Sequence, residues 1–334
     1  MKFLPLKEIS EDMFLAHAVI GNDGRVLLNK GTRLTSAYLH RLEKMEYTHL
    51  YVYESPAEDW NCTGLLSDRI RIEAIRVLRE SLIRVVERKP LDEPLISFII
   101  EGLLKDVLQQ EDRVFDIIDI KTPDNYLYNH SLNVAVISVL MGRQLQLEQE
   151  ELKEIALGAF LHDLGKAHIK TATKKIHALS VNDTVHIKQH TTRGFETLQA
   201  SFSLTVANIA NQHHEREDGS GYPLGLSGVD IPLSSKIVGV ANAFETMVAD
   251  LWNDQALERL TAESPAKYNP KVVRALRQVV AFYPVGSVVE LTDGEQRVVV
   301  AVSTTKMMLQ NPKQLSDLLE LPVEEFSRIA KRVL

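Results

Sequence analysis

Cysteine is almost absent from this chain, because Cys62 is the only one among 334 residues. A single thiol excludes a disulfide framework within the chain and indicates a reducing compartment, so we expect a cytoplasmic protein. Positive charge is outnumbered by negative charge, with 38 lysines and arginines against 45 aspartates and glutamates, and the formal net charge is −7 at pH 7. This balance argues against a partner such as duplex nucleic acid, whose binding proteins are normally basic.

Long apolar runs are missing as well. The most apolar stretch, residues 132–141, is shorter than the roughly 20 residues that a membrane-spanning helix needs. The first residues, MKFLPLKEISEDMF, lack the sustained apolar core of a signal peptide. We therefore expect no membrane span, and we interpret residues 132–141 as part of a buried helix.

The remaining composition is that of a globular protein, 45% hydrophobic and 25% charged, and the chain divides into four predicted parts. Residues 1–60 predict a small α/β module, with two strand-like runs around the turn Asn22-Asp23-Gly24. Residues 61–114 predict a helical connector. Residues 115–310 predict a helical domain with a short β-hairpin around Thr292-Asp293-Gly294, and residues 311–334 predict a helical tail. The predicted fold class is therefore mainly α.

The connector has two interpretations. Ile75, Leu78, Leu82 and Val85 recur at helical spacing, so one face of the helix is apolar. That face packs either on the same chain or on a second copy, as a coiled coil through residues 66–110. Fewer than two heptads are visible, so the sequence favours packing on the same chain and leaves a homodimer as the alternative.

Histidines and one aspartate stand at the ends of predicted helices in four separate segments. YLYNHS carries His130, LGAFLHDLGK carries His162, Asp163 and Lys166, IKQHTTRG carries His190, and VANIANQHHE ends with His213 and His214. Neutral imidazole suits iron, manganese and zinc, and a carboxylate can bridge two such ions. Two ions close together can activate a water and hold a phosphate for in-line attack. A lone histidine is more often an ordinary core residue, but two adjacent imidazoles would leave buried nitrogens unsatisfied without a metal.

The motifs YNHS, HDLGK, HTTRG and HHEREDGSGYP, in this order, resemble the HD-GYP family of phosphohydrolases over roughly residues 115–302. The resemblance implies a helical HD-superfamily domain that holds two divalent transition metals, iron or manganese, and hydrolyses cyclic di-GMP to pGpG or GMP in bacterial signalling. It implies that the metal ligands are His130, His162, Asp163, His190, His213 and His214. Asp163 would be the bridge between the metals, and Lys166 would be the cation beside the phosphate. The loop signature is Asp218, Gly219, Gly221, Tyr222 and Pro223. Within it, Gly221-Tyr222-Pro223 would form the loop that shapes the pocket and binds partner GGDEF domains.

Several positions depart from the family pattern. Asn242 stands where the family has an aspartate, the last ligand of the set, and an amide oxygen is a weaker, uncharged ligand. Leu251 and Asp254 stand where the family commonly has an arginine and a lysine that grip substrate phosphates. Tyr126 takes the place of the glutamate of three-metal members, so we expect two metals at most. Glu245, one helical turn after Asn242, is a candidate substitute ligand.

These features leave three functions open, because a site rather than a fold carries a function. The first is a metal-dependent phosphodiesterase for cyclic di-GMP, which the complete histidine set favours. The second is a catalytically weakened or inactive sensor or scaffold that binds cyclic di-GMP or GGDEF partners. The third is a phosphohydrolase of another nucleotide, since the altered phosphate clamp changes substrate recognition more than metal binding.

Overall fold

The contacts within the chain divide it into two units. The structure is a computed structural model, and it describes residues 2–21, 25–47, 49–53, 65–110, 112–115, 126–169, 186–248, 251–312 and 314–333. One unit combines Met1–Leu65, Gln110–Thr122 and Val280–Leu334, and the other combines Leu66–Gln109 and Pro123–Val279. The predicted turn at residues 22–24 and Cys62 lie outside the described residues.

The N-terminal segment forms the α/β module that the sequence predicts. Its elements are β1 (Lys2–Pro5), β2 (Phe14–Leu15), β3 (Val19–Ile20), β4 (Val26–Leu28), α1 (Ser36–Lys44) and β5 (His49–Tyr53). β5 pairs antiparallel with both β1 and β2, while β3 and β4 form a separate antiparallel hairpin. Thr35 caps α1, because its side chain accepts a hydrogen bond from the Tyr38 N–H. Leu15, Leu34 and Leu50 are fully buried in the small core of this module.

The second unit is helical. Its elements are α2 (Asp68–Val86), α3 (Glu93–Leu108), α4 (Tyr126–Gln144), α5 (Gln149–Leu161), a 3-10 helix (Leu164–His168), α6 (His190–Leu198), α7 (Leu204–Gln212), α8 (Leu233–Met247), α9 (Asn253–Glu263) and α10 (Pro270–Val279). α4 is buried on every side from Asn129 to Gly142, as expected of a helix with apolar residues all round. It contacts α5, α8 and α10, so the buried helix predicted at residues 132–141 is the centre of this unit. No helix among the described residues is long and apolar enough to cross a bilayer.

The connector helices pack on their own chain. Ser67 caps α2 and Asp92 caps α3, and a buried face of α2 contains Ala74, Ile75 and Leu78. α2 contacts α3, α4 and the 3-10 helix that follows α5. This is the packing that the sequence favours. A homodimer through residues 66–110 stays a prediction.

The C-terminal segment forms one five-stranded antiparallel sheet. Its strands are β6 (Val288–Leu291), β7 (Gln296–Val302), β8 (Lys306–Asn311), β9 (Gln314–Pro322) and β10 (Ile329–Arg332), in the spatial order β10-β6-β7-β8-β9. The predicted hairpin is the β6–β7 connection.

The prediction of a helical tail at residues 311–334 is wrong. β9, a 3-10 helix (Val323–Arg328) and β10 occupy these residues. Leu319 and Leu321 alternate along β9 and face Leu309 and Met307 of β8, so they complete the core of the sheet. Short apolar runs fit a helix or a strand equally well until their partner strand is known. The boundaries predicted for the other parts stay predictions.

Candidate metal centre

The predicted histidines and Asp163 come together at the ends of helices. His130 lies in the second turn of α4, and His162 and Asp163 directly follow α5. His190 is the first residue of α6, while His213 and His214 follow α7. Apart from His214, which is half-buried, these side chains are at most 3% exposed. The ends of packed helices therefore bring candidate ligands from four distant segments of the sequence into one buried site.

Two groups of side chains could each hold a metal ion. One is His130, His162 and Asp163, and the other is His190, His213 and His214; the ligand atoms within each group lie within 4.8 Å of one another. Asp163 faces both groups. Its Oδ2 lies 3.4 Å from His162 Nε2, and its Oδ1 lies 3.4 Å from His190 Nε2. This is the geometry that a carboxylate bridging two ions requires.

Hydrogen bonds behind the rings turn the Nε2 atoms toward the centre. The Nδ1–H groups donate to backbone carbonyls, from His162 to Ala159 at 2.7 Å and from His190 to Ile187 at 2.6 Å. His213 Nδ1–H donates to the Ala210 carbonyl at 2.9 Å. A ring that donates through Nδ1 keeps the lone pair on Nε2 for a metal.

The buried atoms of the centre fit a metal ion. His162 Nε2 and Asp163 Oδ1 are buried without a hydrogen-bond partner among the described residues. The Nε2 atoms of His190 and His213 lie 3.3 Å apart. Buried polar atoms are costly when they have no partner. Imidazole nitrogens and one carboxylate are a donor set for divalent transition metals, and one such ion in each group would give these atoms a partner.

Burial sets the protonation states of the centre. It lowers the pKa of His190 to about 4, and it also lowers the pKa values of His130, His213 and His214. Burial alone would raise the pKa of Asp163, but the Lys166 ammonium and the neighbouring His162 and His190 outweigh it and hold that pKa well below its usual range. At neutral pH these four imidazoles are neutral and the carboxylate is charged, which are the forms that bind metals.

The loop after the paired histidines is held by a buried glutamate. The Glu215 carboxylate accepts hydrogen bonds from the Leu224 N–H at 2.7 Å and the Leu226 N–H at 3.0 Å. Gly221 passes so close to this point that a Cβ there would lie 2.4 Å from Glu215 Cα. Only glycine fits, because the clash would be with backbone rather than with a flexible side chain.

Tyr222 connects this loop to the histidines. Its ring stacks on His214, with ring centroids 4.6 Å apart and planes 19° apart. Asp218 shapes the start of the loop by accepting hydrogen bonds from the N–H and the hydroxyl of Ser220. Of the predicted loop signature, Asp218, Gly219, Gly221, Tyr222 and Pro223, the ring of Tyr222 thus contacts a candidate ligand, His214.

Comparison with known proteins identifies the domain that carries this centre. Residues 113–272 match the HD domain family. A cyclic di-GMP phosphodiesterase of Pseudomonas aeruginosa is 28% identical over 251 residues, which are 73% of this chain and 60% of that protein. A cyclic di-GMP phosphodiesterase of Thermotoga maritima is 31% identical over 241 residues, 66% of this chain and 65% of that protein. The candidate ligands, from His130 to Asn242, all lie within the segment that matches the HD domain family.

The fold agrees with this assignment. The structure of an HDG"Y"P protein of Bdellovibrio bacteriovorus superposes with a TM-score of 0.53 at 19% identity, covering 82% of this chain and 97% of that one. The two curated relatives extend beyond the match, since the chain covers less than two thirds of either one.

Glu245 lies behind a histidine of the HD domain. Its carboxylate accepts hydrogen bonds from His130 Nδ1 and, at 3.1 Å, from Asn133 Nδ2. The side chain is fully buried. The expectation that Glu245 replaces a missing ligand is therefore not supported. Glu245 orients His130, so that His130 Nε2 faces Asp163 Oδ2 at 3.6 Å.

The other departing positions have distinct surroundings. Asn242 is buried on α8, one turn before Glu245, and its role as a ligand stays a prediction. Tyr126 stacks on His130, with ring centroids 5.4 Å apart. Lys166 forms an ion pair with Asp163. Leu251 and Asp254 bring no positive charge to the HD domain.

Sequence reasoning missed the residues that support the histidines. Glu215 stands inside the HHE motif without an assigned role, and Asn133 has no motif at all. A buried acid directly after two histidines was the available signal for Glu215. No local signal exists for the contact between Asn133 and Glu245, because 112 residues separate them in the sequence.

Proposed function

We propose that this HD domain is a metal-dependent phosphodiesterase that hydrolyses cyclic di-GMP to pGpG and GMP. One observation carries the proposal: Asp163 faces two groups of inward-facing imidazoles, each with its ligand atoms within 4.8 Å. The names of the two relatives support the same substrate. Two divalent ions, iron or manganese, fit the nitrogen-rich donor set.

Each group of the centre has a task in this proposal. Bound divalent ions supply Lewis-acid activation of water and phosphate. The six candidate ligands would hold the ions in a buried site. Lys166, whose side chain is 22% exposed beside Asp163, offers its ammonium to a phosphoryl oxygen as negative charge develops.

A hydrolysis assay tests the proposal. Purified protein loaded with iron or manganese should convert cyclic di-GMP to pGpG or GMP, and His162→Ala should not. Metal analysis of the same samples should find two ions per chain in the wild type. The proposal falls if the wild-type protein forms no more product than His162→Ala at equal protein concentration.

Leu251 and Asp254 favour a second candidate, a sensor or scaffold without turnover. An apolar group and an acid cannot supply the charge-assisted contacts of an arginine and a lysine. This candidate predicts binding of cyclic di-GMP without hydrolysis, and robust turnover would eliminate it. The same positions allow a third candidate, hydrolysis of another nucleotide, which a panel of cyclic dinucleotides, cyclic mononucleotides and guanosine polyphosphates would separate from the first.

Partners and location complete the proposal. The loop Gly221-Tyr222-Pro223, directly before the backbone that Glu215 binds at Leu224 and Leu226, is the proposed docking site for GGDEF-domain proteins. A homodimer would use residues 66–110, where Val86 and Phe98 are exposed. The near absence of cysteine supports a reaction in the cytoplasm.

A further inference from the structure

A lysine at the edge of the metal centre is held by an aromatic ring instead of a carboxylate. Lys188 Nζ lies 4.9 Å from the centroid of the Tyr222 ring, within the range of a cation–π contact. The same ring stacks on His214. Lys188 also precedes His190 by only two residues. Its ammonium is therefore fixed beside the group formed by His190, His213 and His214.

The charge of Lys188 is not used within the described part of the chain. Lys166 pairs with Asp163, Lys236 with Glu217 at 2.8 Å, and Lys267 with Glu263 at 3.4 Å. Lys188 is exposed, and its ammonium forms no salt bridge with any described carboxylate. A ring face attracts the ammonium but accepts no strong hydrogen bond. The N–H donors of Lys188 thus stay available to an anion from outside.

A cyclic dinucleotide needs such a cation. It carries two phosphates, and while one is hydrolysed the other must be bound by the protein. The positions where resembling domains carry an arginine and a lysine are Leu251 and Asp254 here. Neither side chain can bind a phosphate, and Asp254 would repel one.

We propose that Lys188 binds the phosphate of the cyclic dinucleotide that is not being hydrolysed, and that Tyr222 is the positioning residue that holds its ammonium. This inference rests on the proposed function. The contact is remote from the reacting bond, so it stabilises the bound substrate and the transition state equally. Its loss should therefore raise KM and leave kcat nearly unchanged.

The test compares Lys188→Met with Lys267→Met in the metal-loaded, full-length protein. Lys267 is a surface lysine of the same unit, 46% exposed, and serves as the matched control. Lys188→Met should raise the KM for cyclic di-GMP about tenfold, the loss expected for one charge-assisted hydrogen bond. Neither variant should change hydrolysis of bis(p-nitrophenyl) phosphate, because this compound has only one phosphate. Equal KM values in the two variants, or an equal loss by Lys188→Met on both substrates, would overturn the inference.

Two variants of Tyr222 test the positioning role. Tyr222→Leu removes the ring and should raise KM to nearly the level of Lys188→Met, and the double variant should be no worse than either single one. Tyr222→Phe keeps the ring and should stay closer to the wild type than Tyr222→Leu does. Additive effects of the two substitutions would refute the role.

The inference and the proposed function can fail separately. If the wild type hydrolyses cyclic di-GMP but Lys188→Met keeps its KM, only the inference falls. If the wild type does not hydrolyse it, calorimetric binding of cyclic di-GMP decides the inference. Weaker binding by Lys188→Met than by Lys267→Met supports it, whereas equal binding, or no binding by the wild type, overturns it.

Discussion

The histidines of the centre differ in what lies behind them. His162, His190 and His213 donate through Nδ1 to neutral backbone carbonyls. His130 instead donates to the carboxylate of Glu245, in a fully buried contact. A carboxylate behind a histidine makes the other nitrogen a stronger metal ligand than a carbonyl does. His130 should therefore depend on its supporting residue more than the other rings do.

Glu245→Gln should weaken metal binding without unfolding the protein. Glutamine keeps the size of the side chain but removes the negative charge behind His130. Loss of such a supporting partner typically costs tenfold to about a hundredfold in metal affinity. Titration of metal-free protein with manganese measures the dissociation constant directly, and the circular dichroism spectrum should not change.

Glu263→Gln is the matched control for this substitution. Glu263 is an acid of α9 that pairs with Arg259 and Lys267 and is 21% exposed. Its replacement should leave the manganese dissociation constant at the wild-type value. If Glu245→Gln binds manganese as tightly as Glu263→Gln does, Glu245 has no role in orienting His130 for a metal.

Those residues of the centre that lie within sequence motifs could be predicted from the sequence. The histidines and Asp163 stand in short strings whose order in the chain is informative. The sequence predicts Glu245 only as a ligand candidate, because nothing local indicates that it contacts a histidine 115 residues away. Lys188 has no motif, and its contact with Tyr222 depends on how α6 approaches the loop. Contacts that arise only when helices pack together cannot be predicted from the spacing of residues in the sequence.

The elements of the centre meet at helix ends, and one glycine permits the closest approach. A Cβ at Gly165 would lie 1.9 Å from the His190 carbonyl oxygen and 2.6 Å from Gly194 N. The 3-10 helix after Asp163 can therefore lie directly against the first turn of α6. This approach brings Asp163 Oδ1 to His190 Nε2, so the two candidate metal groups share a carboxylate because residue 165 has no side chain.

Gly165→Ala should destabilise the protein and lower its metal content. The clash is with backbone atoms, so an element must move, and overpacking of this kind costs about 1–3 kcal/mol. Urea unfolding measures the loss of stability, and metal analysis should find less than the wild-type stoichiometry, since the shift separates Asp163 from His190.

Gly194→Ala tests the same interface without a clash. A Cβ at Gly194 would lie 3.4 Å from Ala210 Cβ, an ordinary contact. Alanine in a helix is favoured over glycine by up to about 1 kcal/mol, so this variant should be as stable as the wild type or slightly more so. Equal stability and equal metal content in Gly165→Ala and Gly194→Ala would contradict the claim that the missing side chain at residue 165 permits the close approach.

Element types were predictable where a pattern was long. The buried helix α4 and the hairpin β6–β7 follow from apolar runs and turn residues. The sequence of β9 predicts a helix wrongly, because the burial of its apolar residues depends on pairing with β8. The register of a strand is a property of two segments, and a single segment does not contain it.

At the scale of the whole molecule, every candidate ligand lies in one unit. The ligands from His130 to Asn242 fall within the helical unit, which combines Leu66–Gln109 and Pro123–Val279. The N-terminal module and the C-terminal sheet supply none of them. Stability of the helical unit and occupancy of the metal centre should therefore be linked, because an ion that binds only the folded state stabilises it.

The metal-free protein should lose stability as the pH falls below about 6.5. Burial lowers the pKa of His190 from 6.5 to about 4 and lowers those of His130, His213 and His214. Between the folded-state pKa and the ordinary pKa of each histidine, the unfolded chain takes up protons that the folded chain does not. The free energy of unfolding therefore decreases as the pH falls through this range. For His190 the decrease runs from pH 6.5 to about 4 and amounts to about 3 kcal/mol at most. Asp163, whose pKa is also lowered, adds to the loss only below its usual value of 3.8.

Urea unfolding of the metal-free protein at pH 7.5 and pH 5.0 measures this effect. The free energy of unfolding should be smaller at pH 5.0, and His190→Asn should reduce the difference because one titrating imidazole is gone. His40→Gln, a change on the exposed surface of α1, should keep the wild-type difference. Manganese in excess should raise stability at both pH values, because the folded state keeps these imidazoles neutral at pH 5.0 and an ion that binds only the folded state stabilises it. A metal-free protein equally stable at both pH values would mean that the histidines are not held neutral in a buried cluster.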